Sequence, residues 1–487
     1  MVSRKQMLKV LDESDLEAIH SATLEVLGKT GVLVNSERTL DLLEKRGLPV
    51  DRATKRVKMP ESVVMESVKS CKSNFKLHAR NEKNTIEAVD GKTKIGPGAE
   101  CVWYIDPESD KARRPSLRDG IYCCRLLDAM PDVNIAYVPM TAYDVPDESR
   151  REVCMIAGLV NSSKFTFGGS TDAADVEFAI KLGEILQGDR ESLMKKPIFA
   201  GYVDPISPLA HEYTMLDTLL GYAAIEAPVF VTVMALAGGT APASVAGIIA
   251  QQNAEVLSSI VIASCVTKGP KIIYGSVSCP LDMRSGSAST GSPEFSLIGV
   301  GAVQMAKYYG LPSNMGVQSD SKAVDEQTSY EKAFAAFAAM AAGADFSDLF
   351  IGSTEAFNTF SPLQLAIDEE IAADAIRFSQ GVEVNHETLS VELMEKVGPM
   401  GSYLKEMNTL TRFRKEHLIP RLSDRSSRNK WAEGGSKSAK ERAKDRLAEL
   451  MRSYQQEPLE PEVKKAFDEL LHSKSSEYTV AMLERGG

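Results

Sequence analysis

From about residue 92 onward, short apolar runs alternate with amphipathic segments: TKIGPGAE, NIAYVPM, KFTFGGS, PIFAGYV, PVFVTVMAL, KIIYGSV, SNMGVQ and SDLFIGS. These runs do not alternate apolar with polar, so each is expected to be a strand buried on both faces, and the segments between them supply the helices that cover it. Eight strand and helix units predict an α/β fold of the (β/α)8 TIM barrel type, with its site at the C-terminal ends of the strands. An open doubly wound sheet is the alternative. Between Asp325 and Ala342, Tyr330, Phe334, Phe337 and Ala341 recur three or four residues apart, which predicts a helix capped by Asp325.

The barrel is expected to span residues 92–380, behind a helical N-terminal extension (1–91) and ahead of a helical C-terminal region (381–487). In the extension, SDLEAIHSATLEVLGKTG places Leu16, Ile19, Thr23, Val26 and Leu27 on one helical face, with Gly28 and Gly31 near its end. In the C-terminal region, KSAKERAKDRLAELMRSYQQ and PEVKKAFDELLHS read as two charged helices with solvated faces. Ala227–Ala250 is apolar enough to imitate a membrane span, but GGTAP interrupts it, and it reads as strand, turn and helix.

The 67 acidic and 56 basic side chains give a net charge of −11 with no basic stripe, which argues against nucleic acid. Seven cysteines without a CxxC pair suggest neither a disulfide framework nor a zinc knuckle, and six scattered histidines add no metal pattern. MVSRKQMLKVLDESDLEAIH lacks the apolar core of a signal peptide, so a cytoplasmic location away from membranes is expected. GPGAE and FGGS do not continue as dinucleotide loops. Neither NAD, S-adenosylmethionine nor zinc is expected. GSPE precedes a helix, where Ser292 reads as an N-cap.

The strand ends concentrate small and polar residues. They offer Gly96, Pro97, Gly98 and Glu100, Thr141 and Tyr143, Gly168, Gly169 and Ser170, Tyr202 and Asp204, Gly238 and Gly239, Tyr274 and Ser276, Gln318 and Asp320, and Glu355 and Phe357. That composition predicts a wide cavity on one face of the barrel.

Motifs in this half of the chain resemble a known family. The order NAEVLSSIVIA, IIYGS, GSPEFSLIG, YYGLPSNMGVQSDSKAVDEQTSYEKA and PLQLAIDEEI is similar to that of the trimethylamine methyltransferases, which act on methylamines with corrinoid proteins. The resemblance implies a barrel that docks a separate cobalamin-carrying protein and hands it a methyl group. Founding members carry pyrrolysine before SDAK, whereas this chain has Gln318 before SDSK. The substitution implies a quaternary amine substrate such as glycine betaine, because its leaving group is already a neutral amine and needs no activation. Activity as a betaine:corrinoid protein Co-methyltransferase in one-carbon metabolism is therefore expected, the partners being a cognate corrinoid protein and a small quaternary amine.

That reading gives roles to named residues. Gln318 and Glu355 are the catalytic candidates, Gln318 by donating its amide and Glu355 by balancing the cation. An aromatic cage suits a nitrogen without N–H donors, and Tyr202, Tyr274 and Phe357 are its candidates, with Trp103 and Tyr104 on a loop that could fold over. Arg284, in LDMRSGSAS, is the candidate for the substrate carboxylate. Gly168, Gly169, Gly238, Gly239, Ser319 and Asp320 are candidates for accommodating the corrinoid. Two alternatives stay open: a quaternary-amine binding protein, and a barrel lyase or aldolase using Lys322 as a Schiff-base nucleophile. Homo-oligomerisation is compatible with either.

Overall fold

A computed structural model describes residues 7–98, 100–169 and 171–486. Its centre is a curled parallel sheet of seven strands: β1 (Lys94–Pro97), β2 (Thr166–Phe167), β3 (Phe199–Val203), β4 (Val229–Val233), β5 (Ile272–Ser276), β6 (Ser313–Met315) and β7 (Phe346–Ile351). The order is β1-β7-β6-β5-β4-β3-β2, so the first strand pairs with the last. Seven of the eight expected strands thus lie in one ladder. The remaining run contributes only isolated bridges: Met140 bridges Cys101 in parallel, and Ile135 bridges Phe165 in parallel. The Ile135 N–H donates to the Ile95 carbonyl at 3.2 Å, and the Ala136 N–H donates to the Phe165 carbonyl at 3.0 Å.

Eight helices cover the sheet: α1 (Leu117–Ala129), α2 (Arg150–Asn161), α3 (Ala173–Gln187), α4 (Tyr213–Ala224), α5 (Val245–Ala263), α6 (Pro293–Tyr308), α7 (Glu326–Ala342) and α8 (Pro362–Ser379). Their starts follow local chemistry. Ser292 and Ser361 cap α6 and α8 ahead of prolines at the first turn, and Asp325 caps α7 by accepting from the Thr328 N–H. Helix α5 is long and apolar enough to cross a membrane, yet most of it is buried within the protein, and the GGTAP turn separates it from β4 as expected.

Helix α7 forms where expected but faces the other way. Its alanines Ala335, Ala336, Ala338 and Ala339 pack inward, whereas Tyr330, Phe334 and Phe337 are exposed. Alanine's small side chain permits close packing on the neighbouring helices, and the aromatics are left on the outer surface.

The first 91 residues are not helical throughout. Three helices, Glu13–Glu25, Glu37–Lys45 and Glu61–Ser70, are interleaved with short strands, three of which join Ala210–Glu212 in a small sheet. Gly31 ends the first helical stretch at φ +73°, and a Cβ there would lie 2.3 Å from the Val57 carbonyl oxygen, so only glycine fits. The two charged C-terminal helices are Ala439–Ser453 and Pro461–His472, each burying an apolar edge through Leu447 and Leu450 or Phe467 and Leu471.

Inside the sheet, Ile135, Phe165, Ala200, Phe230, Ile273 and Phe346 form an apolar floor, closed from below by Phe75, Leu77 and Ala88. This floor decides what lies above it.

Candidate active site

Side chains on a strand alternate between faces, so the next inward positions after Ala200, Phe230 and Phe346 are Tyr202, Thr232 and Asp348. Asn314 joins them from β6, its Oδ1 accepting from the Asp348 N–H at 3.4 Å. Gly275 makes room: a Cβ there would lie 2.2 Å from Thr232 Oγ1. The layer above the apolar floor is therefore polar and buried.

Its polar atoms are largely unsatisfied. Tyr202 Oη, Thr232 Oγ1, Asn314 Nδ2, Gln318 Oε1 and both carboxylate oxygens of Asp348 are buried without a hydrogen-bond partner. Orphaned buried groups are rare because each forfeits its hydration, and several in one place mark a site built for something that completes them.

A cavity of about 290 Å3 lies beside this layer at the C-terminal ends of the strands, lined among others by Glu100, Tyr137, Arg151, Phe167, Tyr202, Asp204 and Leu349. Tyr202 and Phe167 meet edge to face at 5.5 Å, and Tyr137 meets Phe167 at 5.7 Å. The acids are perturbed. Burial pushes Asp348 up to about 7. Asp204 opens onto the cavity but is ringed by protein, and this enclosure, helped by the Asp348 charge, also pushes it up to about 7. Enclosure raises Glu100 as well, against the pull of Arg151, and holds the Tyr202 phenol well above its ordinary value. Such a site favours a positive charge, which would let both aspartates ionise.

Gln318 sits at the edge of this layer, fully buried. Its Nε2 donates to the Leu349 carbonyl at 3.2 Å and to the Ser353 hydroxyl. The carbonyl can only accept, which fixes the amide's orientation and leaves the oxygen unpartnered. The expected role as an amide donor is therefore corrected: the free atom is an acceptor. Glu355, two residues beyond Ser353, accepts from Thr359 Oγ1 at 2.6 Å. Glu355, Ala356 and Phe357 all adopt left-handed φ values of 54°, 49° and 71°. Three such residues in a row are strained. The Ala356 N–H holds the loop to the Ser319 carbonyl at 3.0 Å, and Phe357 packs with Tyr202 against Val277, Phe295 and Leu349.

Other candidates lie elsewhere. Tyr274 points outward from β5 into the helical layer, where its hydroxyl donates to Asn253 Oδ1 at 3.2 Å, so it is not part of a cage. Arg284 is 92% exposed on a hairpin and pairs with its neighbour Asp282 at 3.4 Å, away from the cavity. The cation lining the cavity is Arg151, from α2, which also pairs with Asp175 at 3.2 Å. Trp103 and Tyr104 belong to a short strand paired with Thr359–Phe360, and Arg114 stacks over Trp103 at 4.0 Å.

Gly168 and Gly169 line the cavity, but their smallness serves packing: added Cβ atoms would lie 2.0 Å from the Tyr222 hydroxyl and 2.6 Å from Asp175 Cβ. Ser170, expected from the sequence at a strand end, lies outside the described residues. Gly238, at φ +85°, and Gly239 form a turn beside Met283 and Leu281 of the Arg284 hairpin. Ser319 Oγ and the Asp320 N–H both donate to Glu331 Oε2, at 2.6 and 2.9 Å. The Asp320 carboxylate accepts from Thr290 and Ser289, tying two loops together. Lys322 is exposed, donating to the Asp320 carbonyl at 2.7 Å, and does not line the cavity.

Asp348, Tyr137 and Arg151, with Thr232, Asn314 and Phe167 beside them, are residues that sequence reasoning missed. An acid inside the apolar run SDLFIGS was a usable signal for Asp348, since a buried carboxylate without purpose is costly. Nothing local marks Arg151.

Comparisons with known proteins identify the family and the fold. The family model described as trimethylamine methyltransferase (MTTB) matches residues 1–479. Glycine betaine methyltransferase of Desulfitobacterium hafniense (strain Y51) is 31% identical over 459 residues, 93% of this chain and 94% of that protein. Trimethylamine methyltransferase MttB of Methanosarcina thermophila is 32% identical over 467 residues, 94% of this chain and 96% of that protein. In fold, the chain is similar to the solved monomethylamine methyltransferase (MtmB) of Methanosarcina barkeri, with a TM-score of 0.53 at 15% identity over 92% of this chain and 89% of that one. This chain belongs to the trimethylamine methyltransferase (MTTB) family and is a methyltransferase.

Proposed function

We propose that this methyltransferase takes a methyl group from the quaternary nitrogen of a betaine and delivers it to the corrinoid of a partner protein. The observation that carries this reading is the unsatisfied layer of Tyr202, Asn314, Gln318 and Asp348 beside a cavity that also holds Asp204. A quaternary ammonium offers no N–H, so it is held by charge and by aromatic faces. Asp204 and Asp348 supply the charge, and Tyr202, Phe167 and Tyr137 supply the faces. The Gln318 carbonyl oxygen adds the negative end of a dipole. Arg151, with five donors and one ion pair at Asp175, takes the betaine carboxylate in place of the expected Arg284.

A corrinoid carried by the partner would supply the methyl acceptor at the mouth of the cavity. The rim suits such a partner: Met234 and Met283 are exposed there, and Trp103 is part-exposed beneath the Arg114 guanidinium. This chain's own residues position the methyl group and keep water away from it, which is the main catalytic requirement of an in-line displacement. Ile135 and its neighbours are taken as the eighth stave, completing a (β/α)8 barrel around the site, between a 1–91 extension and a 381–487 region. The seven free cysteines suit a reducing cytoplasm.

The test is a panel of quaternary and tertiary amines with free cob(I)alamin, followed by the spectrum of methylcobalamin. Turnover of a betaine, lost in Arg151→Ala while slow turnover of tetramethylammonium persists, is expected. Robust trimethylamine turnover, or equal loss of both substrates in the variant, overturns the reading. Binding of a betaine without methyl transfer would instead favour the binding-protein alternative.

A further inference from the structure

Among residues 381–421 no side chain is buried, although α8, which precedes them, is buried along most of its length. Within this stretch the helices Val391–Val397 and Met407–Glu416 bury nothing. Its composition is not that of a solvated loop, because Val382, Met400, Leu404, Met407, Leu410 and Phe413 are all exposed. Helices of seven and ten residues do not persist alone in water. The segment is stapled at its root: Arg377 donates to the carbonyls of Glu416 at 2.8 Å and Gly381 at 3.2 Å. It is therefore an arm that leaves the end of α8 and returns to it. At its foot lies the exposed aromatic stripe of α7, where Phe337 touches Phe378 at 4.6 Å.

We infer that this arm docks on a second copy of this chain. Three observations select that occupant. First, α8 runs back from the C-terminal end of β7, so the arm springs from the end of the sheet opposite the cavity mouth. A partner that must reach the mouth leaves the arm uncovered. Second, the arm is complementary to itself. Residues 383–395 carry Glu383, Glu387, Glu392 and Glu395 without a Lys or Arg, whereas residues 405–415 carry Lys405, Arg412, Arg414 and Lys415 against Glu406. Among the described residues the arm's own ion pairs include Arg412 with Glu387 and Lys396 with Glu406, and none involves Glu383, Glu395, Lys405, Arg414 or Lys415. A two-fold axis lays the acidic half of one arm along the basic half of the other. Third, the area suffices. Each large apolar side chain fully exposed here offers on the order of 100 Å2. The arm and stripe together thus exceed the roughly 800 Å2 that one partner gives to a stable interface.

The test is sedimentation of the full chain at micromolar concentration, beside two sets of variants. The wild type is expected to be a homo-oligomer, and Leu404→Asp with Leu410→Asp is expected to weaken it at least about 100-fold, as loss of two central apolar contacts does. The second set keeps the test independent of local folding. E383K/E392K/E395K makes both halves of the arm basic, K405E/R414E/K415E makes both acidic, and each alone is expected to be dissociated. Mixed together they should associate, because each then meets its opposite. A monomeric wild type, an oligomer indifferent to the aspartates, or a mixture that stays apart overturns the inference.

Discussion

Two buried polar clusters sit a few residues apart at the end of β7, and they differ in one respect. Around Lys332 every donor is used: Nζ donates to the carbonyls of Phe350 at 2.7 Å and Ser353 at 2.6 Å and to Asp368 at 2.6 Å. Asp368 also accepts from the Gly352 N–H and from Gln364. Burial pushes the Lys332 pKa down and the Asp368 pKa up, and each opposes the shift of the other. Around Asp348 the same depth of burial leaves its oxygens, Tyr202 Oη and Gln318 Oε1 without partners. The Lys332 network, complete but for Gln364 Oε1, is scaffold, whereas the layer around Asp348, with most of its polar atoms unpartnered, awaits a ligand. The two are linked, since Ser353, whose carbonyl Lys332 holds, accepts the Gln318 amide.

The largest effect should come from breaking the complete cluster. Lys332→Met strands Asp368 in the interior and is expected to cost about 3 to 5 kcal/mol of stability, measured by urea unfolding. Asp348→Asn should do the reverse. It removes a costly buried acid, so the unfolding midpoint at pH 8 should hold or rise, while betaine turnover falls about 100-fold, roughly 2.7 kcal/mol of lost transition-state stabilisation. If the Met variant were as stable as the wild type and the Asn variant unfolded, the division between scaffold and site would be wrong. Gln318→Ala should follow at about 10-fold to 100-fold, the loss of one interaction with a charge at roughly 1.5 to 3 kcal/mol.

Protonation separates the clusters more gently. An acid raised from its ordinary 3.8 to about 7, as Asp204 and Asp348 are, holds a proton in the folded protein that the unfolded chain has lost. The empty protein should therefore lose stability as pH rises from about 4 through about 7. Binding of a cation should strengthen over the upper part of that window, because it favours the ionised acids. Tetramethylammonium affinity about 10-fold weaker at pH 6 than at pH 8 is expected from calorimetry. Glu100, Tyr137, Tyr202 and Arg151 face the same space, and only Glu100 could add to the slope. A flat profile would remove the aspartates from the binding step.

The strands were legible in the sequence because parallel strands buried on both faces carry unbroken apolar runs. The same uniformity hides which face is inside, and so Tyr274 in IIYGS turned outward while Asp348 in SDLFIGS turned inward. Helix α7 misled differently. Its aromatics gave the stronger periodic signal, but its alanines were the residues small enough to pack. Gln318 was legible as a position, yet its free atom depended on Leu349 and Ser353, 31 and 35 residues away in sequence.

The smallest effect concerns the two arginines. Arg284 lies on the exposed hairpin with Asp282 as its partner, so solvent screens it and its pair is worth little. Arg151 reaches the cavity from α2, and its partner Asp175 is buried and raised by that burial. Arg284→Ala should therefore change betaine turnover with free cob(I)alamin by less than about 2-fold, in line with an exposed pair worth well under 1 kcal/mol. With a corrinoid protein as acceptor the same variant has a second reading, because the hairpin also carries the exposed Met283 at the rim. A loss seen only with the protein acceptor would place Arg284 in docking and leave the cavity to Arg151. A large loss with free cob(I)alamin would return the substrate carboxylate to Arg284 and undo the distinction drawn between a cavity of unsatisfied groups and a rim of satisfied ones.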